Sequence, residues 1–324
     1  MKSIRIKRCL ISSLCGLLIV GCDGNNTNDG TKVSDAELVE IKQLNQVSPV
    51  DEFSFGFDLR SSPQEDARQY LPFLKYLEKK TGYKFKLRFT PSNSDIADDL
   101  GNGTVNFAAI GAVSYINAAA KYNVIPLVRG INLHGQAKYR SMLIVRPNSI
   151  IKKLSDIKGV RFAFGGITST QGHLIPRIIL SKNNLNLSSF ASYEYTGSHQ
   201  KCADAIISGR FDVCALQDTM ARELEQQRKV RILYKSDYYP SSGVAANKNV
   251  KKEVLDAVIS AMLDFKPNGK DKMGLYHWGK TEMPNGFSKA DAGDYSELQN
   301  WLQKLGLLKV NNAFNVIGET SRNK

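Results

Sequence analysis

Gly165-Gly166-Ile167-Thr168-Ser169-Thr170-Gln171-Gly172-His173 is a glycine- and hydroxyl-rich turn set between two segments of different pattern. Before it, Val160 to Phe164 has the β-branched and aromatic make-up of a buried strand. After it, Leu174, Ile175, Ile178 and Ile179 recur at helical spacing. A helix that starts near Gln171 leaves its first backbone N–H groups unpaired beside the Ser169 and Thr170 hydroxyls, and that combination binds phosphate-like groups. Taken alone, the segment is explained more simply by Ser169 or Thr170 capping the helix. An oxyanion cradle needs support from the rest of the chain.

Outward from this turn, the first residues set the compartment. Lys2, Arg5, Lys7 and Arg8 precede an apolar run from Cys9 to Val20, shorter than the ~20 residues needed to cross a bilayer. Residues 1–21 are therefore expected to be a signal peptide. The ending Ile19-Val20-Gly21-Cys22 resembles the lipobox of bacterial lipoproteins, which implies lipidation of Cys22; an ordinary cleaved signal followed by a free cysteine is the competing reading. Asp23 resembles the inner-membrane retention signal of Gram-negative lipoproteins. The expected location is thus the outer face of the cytoplasmic membrane, on the periplasmic side in a Gram-negative host. Residues 22–49 are rich in Asn, Asp, Gly, Thr and Ser and read as a flexible tether, with a short helix possible over Ala36 to Leu44.

The remaining body is longer than one compact core usually grows, so two lobes are expected. The full chain carries 44 Lys and Arg against 31 Asp and Glu; without the four basic residues of the signal, 40 against 31 leaves a net charge of about +9. No basic run with interleaved aromatics and no zinc-finger spacing accompanies that charge, so nucleic acid is not an expected partner, and a mild attraction for anionic solutes is. Of five cysteines only Cys202 and Cys214 fall in the body, where a disulfide and two buried thiols are both open. His134, His173, His199 and His277 have no ligand spacing, so no metal site and no cofactor is expected.

Strand and helix patterns alternate through the body. Phe53 to Leu59, Tyr83 to Phe89, Asn106 to Ile110 and Val124 to Val128 read as strands, with helices over Gln64 to Lys80, Ile96 to Leu100 and Ser114 to Tyr122. Tyr139 to Val145 carries the chain into a second unit starting near Arg146. There strands Val160 to Phe164, Tyr193 to Tyr195, Asp212 to Leu216 and Val230 to Tyr234 alternate with helices from Gly172, His199 and Thr219. Val244 to Ala246, a helix from Val250 to Leu263 and a last helix from Tyr295 to Leu305 close the chain. The expected division is a first lobe from 50–145, a second from 146–240 and a return to the first over 241–324, with a ligand cleft between lobes joined by two crossing strands.

Five separated segments carry a family likeness: Gly111-Ala112-Val113-Ser114-Tyr115, Ser169-Thr170-Gln171-Gly172-His173-Leu174-Ile175-Pro176, Gly197-Ser198-His199, Gly209-Arg210-Phe211-Asp212 and Met283-Pro284-Asn285-Gly286-Phe287. In this order the chain resembles the phosphate/phosphite/phosphonate-binding proteins of bacterial ABC importers. The resemblance implies an α/β, two-lobed type II periplasmic-binding-protein fold, each lobe a mainly parallel sheet flanked by helices, with a two-strand hinge. It also implies a site. Ser169, Thr170 and Gln171 fall on the family's Ser-Thr-Ser loop, with Gln171 replacing the last serine and able to donate from its amide. Tyr115 matches a tyrosine that reaches the ligand across the cleft, and His199 a histidine that donates to an oxyanion oxygen.

Two further departures bear on the ligand. The family's first-lobe aromatic falls near Asn93, and the acid that grips the amine of an aminoalkyl phosphonate falls near Ser242. Asp218, with Gln217 competing for the position, is the acid that remains; it can take a proton from a monoprotonated oxyanion. That favours phosphite, phosphate or methylphosphonate over a zwitterionic aminophosphonate. The expected mechanism is capture by lobe closure, in which several hydrogen bonds to a charged oxyanion in a dry cleft suffice for tight binding without a lysine or arginine inside, and delivery by a monomer to an ABC permease.

Rival readings belong to different classes. Ser149-Ile150-Ile151-Lys152 and Ser155-Asp156-Ile157-Lys158 fit S-x-x-K and Lys80-Thr81-Gly82 fits K-T-G, but the order is wrong for a serine penicillin-binding enzyme and no S-D-N lies between. A thiol enzyme using Cys214 or Cys202 is a second rival. A ligand sensor for a membrane signalling receptor is a third.

Overall fold

The computed structural model of the chain describes residues 51–91 and 94–309. The expected signal peptide, Cys22, the tether and Asn93 lie outside the described residues.

Local signals start and stop the elements. Along the chain come β1 (Glu52–Phe57), α1 (Pro63–Thr81), β2 (Lys84–Leu87), α2 (Ile96–Gly101), β3 (Phe107–Ile110), α3 (Ala112–Tyr122) and β4 (Ile125–Gly130). Next are β5 (Lys138–Tyr139), β6 (Ser141–Val145), β7 (Arg161–Phe164), α4 (Ile175–Lys182), β8 (Ser192–Tyr195), α5 (His199–Ile207), β9 (Val213–Gln217), α6 (Asp218–Gln226) and β10 (Arg231–Lys235). Last are β11 (Tyr239–Pro240), β12 (Gly243–Ala246), α7 (Lys252–Asp264), β13 (Phe287–Lys289) and α8 (Ser296–Lys304). In α1, Ser62 accepts from the N–H of Glu65, Pro63 takes the first helical position and Gly82 ends the helix at φ 77°. Each choice follows the chemistry of helix ends.

The strands form one two-stranded pair and two large sheets. One has the order β13-β4-β12-β3-β1-β2, the other β10-β6-β9-β7-β8. In the first, β1 to β4 run one way and β12 and β13 oppose them. In the second, β7 to β10 run together and β6 opposes them. The chain leaves the first sheet after β4 and returns to it at β12. The two crossings pair with each other as β5 and β11, Tyr139 opposite Tyr239 and Lys138 opposite Pro240. This is the mainly parallel, two-sheet α/β architecture with a two-strand connection. The sheets divide earlier than the expected boundary at 145: β6 pairs with β9 and β10, so Ser141–Val145 stands in the second sheet.

Each sheet buries its faces under helices. On one face of the first, Phe55, Phe73, Phe107, Phe265, Trp278 and Phe287 form an aromatic core, with the Phe73 and Trp278 rings 4.9 Å apart. In the second, Met142, Ile144, Ala163 and Leu216 pack under α5 with Cys202 and Cys214. Those two cysteines form a disulfide that ties α5 to β9, with Cα atoms 6.0 Å apart. The pairing left open by the sequence is thereby decided, and both sulfurs of the thiol-enzyme reading are bonded to each other. Among the described residues no helix is long and apolar enough to cross a membrane.

Candidate functional site

β7 ends at Phe164 and the chain folds back over its own end, the Gly165 N–H donating to the Gly172 carbonyl at 2.9 Å. No side chain fits that approach: a Cβ on Gly172 would lie 2.9 Å from Ser169 Oγ and 3.0 Å from Gly165 Cα. Ser169 caps the helix that follows, its Oγ accepting from the Gly172 N–H at 2.9 Å. The helix opens with a π turn over Thr170–Leu174 before passing into α4. His173 holds the turn from beneath through Ile167 O at 2.7 Å and the Tyr195 hydroxyl at 3.1 Å. Burial lowers its pKa to about 4, so it is neutral and structural.

The capping reading of Ser169 is correct, and it does not compete with a cradle. A hydroxyl that accepts from a backbone N–H keeps its own proton to donate. Thr170 repeats the arrangement across the cleft: its Oγ1 accepts from the N–H of Val113, in the first turn of α3, at 3.0 Å.

Three helix N-termini meet on the resulting cleft, which has a volume of about 660 Å³. Gly111 at the start of α3, Ser169 and Thr170 at the π turn, and Ser198 and His199 at the start of α5 all line it. Their positive dipole ends favour an anion there, although the N–H groups of Gly111, Val113, Gly172 and Lys201 are already paired within the protein. His199 is buried, its Nδ1 has no hydrogen-bond partner, and burial lowers its pKa to about 4 against the opposing pull of Glu282. It therefore serves as a neutral imidazole with one donor and one acceptor nitrogen.

Charged side chains complete the first-lobe wall. Arg60 pairs through Nη1 with Glu282 Oε1, both nearly buried, and Arg60 Nε and Nη2 and Glu282 Oε2 have no hydrogen-bond partner. The cleft thus contains an arginine, which the expected binding by hydrogen bonds did not require. Asp58, one residue beyond β1, accepts from the Gly111 N–H at 2.7 Å and from Ser114 Oγ at 3.1 Å. Burial pushes its carboxyl up to about 6, while Arg60 and the Gly111 N–H act in the opposite direction. Tyr139 and Ser242 also line the cleft, and the Tyr139 hydroxyl approaches those of Thr170 and Ser242 without a formed hydrogen bond to either.

Of the six ligand-binding residues expected from sequence, the structure brings Ser169, Thr170, Gln171 and His199 to the cleft. Gln171 differs from its expected use. Its amide nitrogen donates to Arg140 O at 2.8 Å and to Asp218 Oδ1 at 3.4 Å, leaving Oε1, an acceptor, without a partner. Asp218 stands behind Gln171, also accepting from the Thr219 N–H, and does not line the cleft. Tyr115 does not reach it either: its ring packs 4.6 Å from that of Tyr295, against the C-terminal segment. The reason is helical geometry. The first turn of α3 points its backbone at the cleft, while Tyr115, a turn further on, faces the interior. Asp58, Arg60 and Glu282 were missed. For the first two a signal existed, a charged pair directly after the apolar strand Phe53-Ser54-Phe55-Gly56-Phe57, where open α/β sheets place ligands. For Glu282 there was none.

Known proteins resemble this chain in sequence and fold. A family model described as ABC transporter, phosphonate, periplasmic substrate-binding protein matches residues 55–295. The phosphonates-binding periplasmic protein of Escherichia coli is 26% identical over 236 residues, 70% of this chain and 70% of that protein. The phosphate-import protein PhnD of Mycolicibacterium smegmatis is 28% identical over 203 residues, 58% of this chain and 63% of that protein. A Prochlorococcus marinus protein solved in complex with methylphosphonate shares the fold, with a TM-score of 0.71 at 20% identity over 79% of this chain and 99% of that one.

Proposed function

This chain belongs to the periplasmic substrate-binding protein family of phosphonate ABC transporters, and from that premise we propose that it captures a small phosphorus oxyanion and delivers it to a membrane permease. Family members are substrate-binding transport proteins, working outside the cytoplasm. The observation that carries the choice of ligand is the meeting of the helix starts of α3, the π turn and α5 with the hydroxyls of Ser169 and Thr170, which line the cleft, accept from backbone N–H groups and so keep their protons to donate. Hydrogen bonds to a charged oxyanion are worth ~1.5–3 kcal/mol each, so a few suffice for micromolar binding or tighter.

The roles follow from chemistry. Ser169 and Thr170 donate their hydroxyl protons, the N–H groups of the π turn and of α3 complete the cradle, and His199 donates from the α5 side. Closure and opening turn on the paired crossings β5 and β11, bringing the Thr170 side against α3. No bond in the ligand is made or broken, so the protein acts as a carrier and not as an enzyme. Lipid attachment at Cys22 and a monomeric state complete the proposal; the sequence Ile19-Val20-Gly21-Cys22 supports the first.

Calorimetric titration of the mature protein with phosphate, phosphite, methylphosphonate, aminoethylphosphonate and sulfate tests the reading. Binding of at least one phosphorus oxyanion, weakened by Ser169→Ala and Thr170→Ala, is expected. Absence of binding to all four phosphorus compounds would overturn it.

A further inference from the structure

Most polar groups turned toward the cradle over Gly111 are donors or hydroxyls; one is a carboxylate. Asp58 Oδ2 is held by the Gly111 N–H at 2.7 Å and both its oxygens by Ser114 Oγ at 3.1 and 3.2 Å, so the group is fixed against the first turn of α3. Its position in the cradle is measurable from Gly111, which has no side chain. A Cβ there would lie 3.2 Å from Thr170 Oγ1, 3.4 Å from Asp58 Oδ2 and 3.8 Å from Ser242 Oγ. A carboxylate and two hydroxyls from separate parts of the chain therefore converge on one point, beside the N–H groups and hydroxyls assigned to the oxyanion.

An ionised carboxylate only accepts hydrogen bonds. An oxyanion oxygen can rest against it only if a proton lies between them; without one, two negative oxygens face each other. Of the other acids near the cleft, Asp95 caps α2 and pairs with Lys309, Asp98 pairs with Lys121 and Tyr122, and Asp218 stands behind Gln171. Glu282 pairs with Arg60 through Oε1 and keeps Oε2 without a partner, but it is not among the groups that converge over Gly111. Gln171 Oε1 is a second acceptor, but a neutral one.

We propose that Asp58 is a specificity-determining residue that accepts the hydrogen bond of a P–OH group, so that the cleft selects monoprotonated phosphorus oxyanions and rejects sulfonates and sulfate, which carry no such proton. The proposal rests on the reading of the cleft as a phosphorus-oxyanion site and names the feature of the ligand that this site recognises. Its chemistry is proton sharing alone. The charged groups facing Asp58 are Arg60 from its own strand end and Asp95 from the start of α2, while α3 presents only the Ser114 hydroxyl and the Gly111 N–H. The elevated carboxyl, near 6, still leaves Asp58 ionised and accepting above neutral pH.

Methylphosphonate and methanesulfonate have nearly the same shape and differ in the proton, so calorimetry with this pair on the full mature chain is the test. The wild type is expected to prefer methylphosphonate by about a hundredfold or more, because a site built around a ligand hydroxyl rejects the analogue lacking it. Asp58→Asn keeps an oxygen for the Gly111 N–H and turns a donor toward the ligand; it is expected to gain methanesulfonate affinity and shrink the ratio to about tenfold or less. Wild-type affinities within about threefold of each other, or a ratio unchanged in the variant, overturn the proposal. If the variant does not fold, the wild type still decides. Its affinity for methylphosphonate should fall as the ligand loses its proton toward alkaline pH, and a rise overturns the proposal. A wild type that binds phosphorus oxyanions without discriminating against sulfonate defeats this inference alone; one that binds no phosphorus oxyanion defeats the functional reading and this inference together.

Discussion

The backbone N–H of Val113 donates to the side-chain hydroxyl of Thr170 at 3.0 Å, and this bond joins the helix after β3 of one sheet to the turn after β7 of the second. A helix in the first lobe is capped by a residue of the second. The same hydroxyl retains its own proton, and under the proposed function that proton goes to the ligand, so closure and ligand binding would draw on one atom.

Thr170→Val removes that atom while keeping the shape of the side chain. Loss of a hydrogen bond to a charged ligand, ~1.5–3 kcal/mol, should weaken binding about ten- to a hundredfold. Calorimetry reads the affinity, and small-angle scattering of the ligand-free protein should report a more open average shape than the wild type.

Gly111→Ala tests the cradle from beneath. The backbone there, φ −72°, accepts alanine without strain, so the fold should persist. The added Cβ would press within 3.2 Å of Thr170 Oγ1 and 3.4 Å of Asp58 Oδ2. Circular dichroism should show an intact helix content while titration shows affinity lowered by at least about tenfold, since a misplaced contact in a packed site cannot relax freely.

The disulfide makes a prediction about stability without affecting the ligand. Cys202 and Cys214 are 12 residues apart, a loop for which chain entropy gives ~3 kcal/mol. The double variant Cys202→Ser, Cys214→Ser should melt roughly 6–12 °C lower by calorimetry. Its ligand affinity should match that of the wild type, because the bridge ties α5 to β9 behind the sheet and not at the cleft.

Acid should destabilise the protein through its histidines. Burial lowers both His173 and His199 to about 4, below the ordinary 6.5 of an unfolded chain, so the unfolded state binds more protons between those values. The stability each contributes is present above about 6.5 and is lost as pH falls toward 4. Asp58 acts in the opposite direction: its folded carboxyl, raised to about 6, gains stability as pH falls through that value toward the unfolded carboxylate range. Two histidine shifts exceed one carboxyl shift, so among these three groups the net effect of acid is loss. Urea titrations from about pH 7 to about 4.5 should show falling stability, and His173→Gln should flatten the slope; an unchanged slope would refute the assignment.

Much of the fold was legible because its signals are local. The strand Val160 to Phe164, its turn and the helix beyond it follow from side-chain alternation, glycine and helical spacing, each read within a dozen residues. The same held for the alternating order that builds two mainly parallel sheets. Ser169 and Thr170 were legible from the helix start after a strand, and His199 only from the family resemblance; all three line the cleft because helix starts after strands lie at one end of a sheet. Tyr115 stands away from the cleft lining for a comparably simple reason: the segment follows β3 as read, but its place on α3 turns the ring toward Tyr295.

The amino-acid order alone determined the α/β alternation, the strand–turn–helix around Ser169 and the hydroxyl chemistry of the turn, since these depend on neighbours along the chain. Tertiary structure alone decided that Cys202 meets Cys214, that Gln171 spends its amide on Arg140, and that Asp58, Arg60 and Glu282 share one wall. Those partners come together only when the sheets pack and the chain crosses at β5 and β11. A carboxylate's role depends on which groups surround it, and no spacing in the sequence records what the folded chain brings within hydrogen-bonding distance.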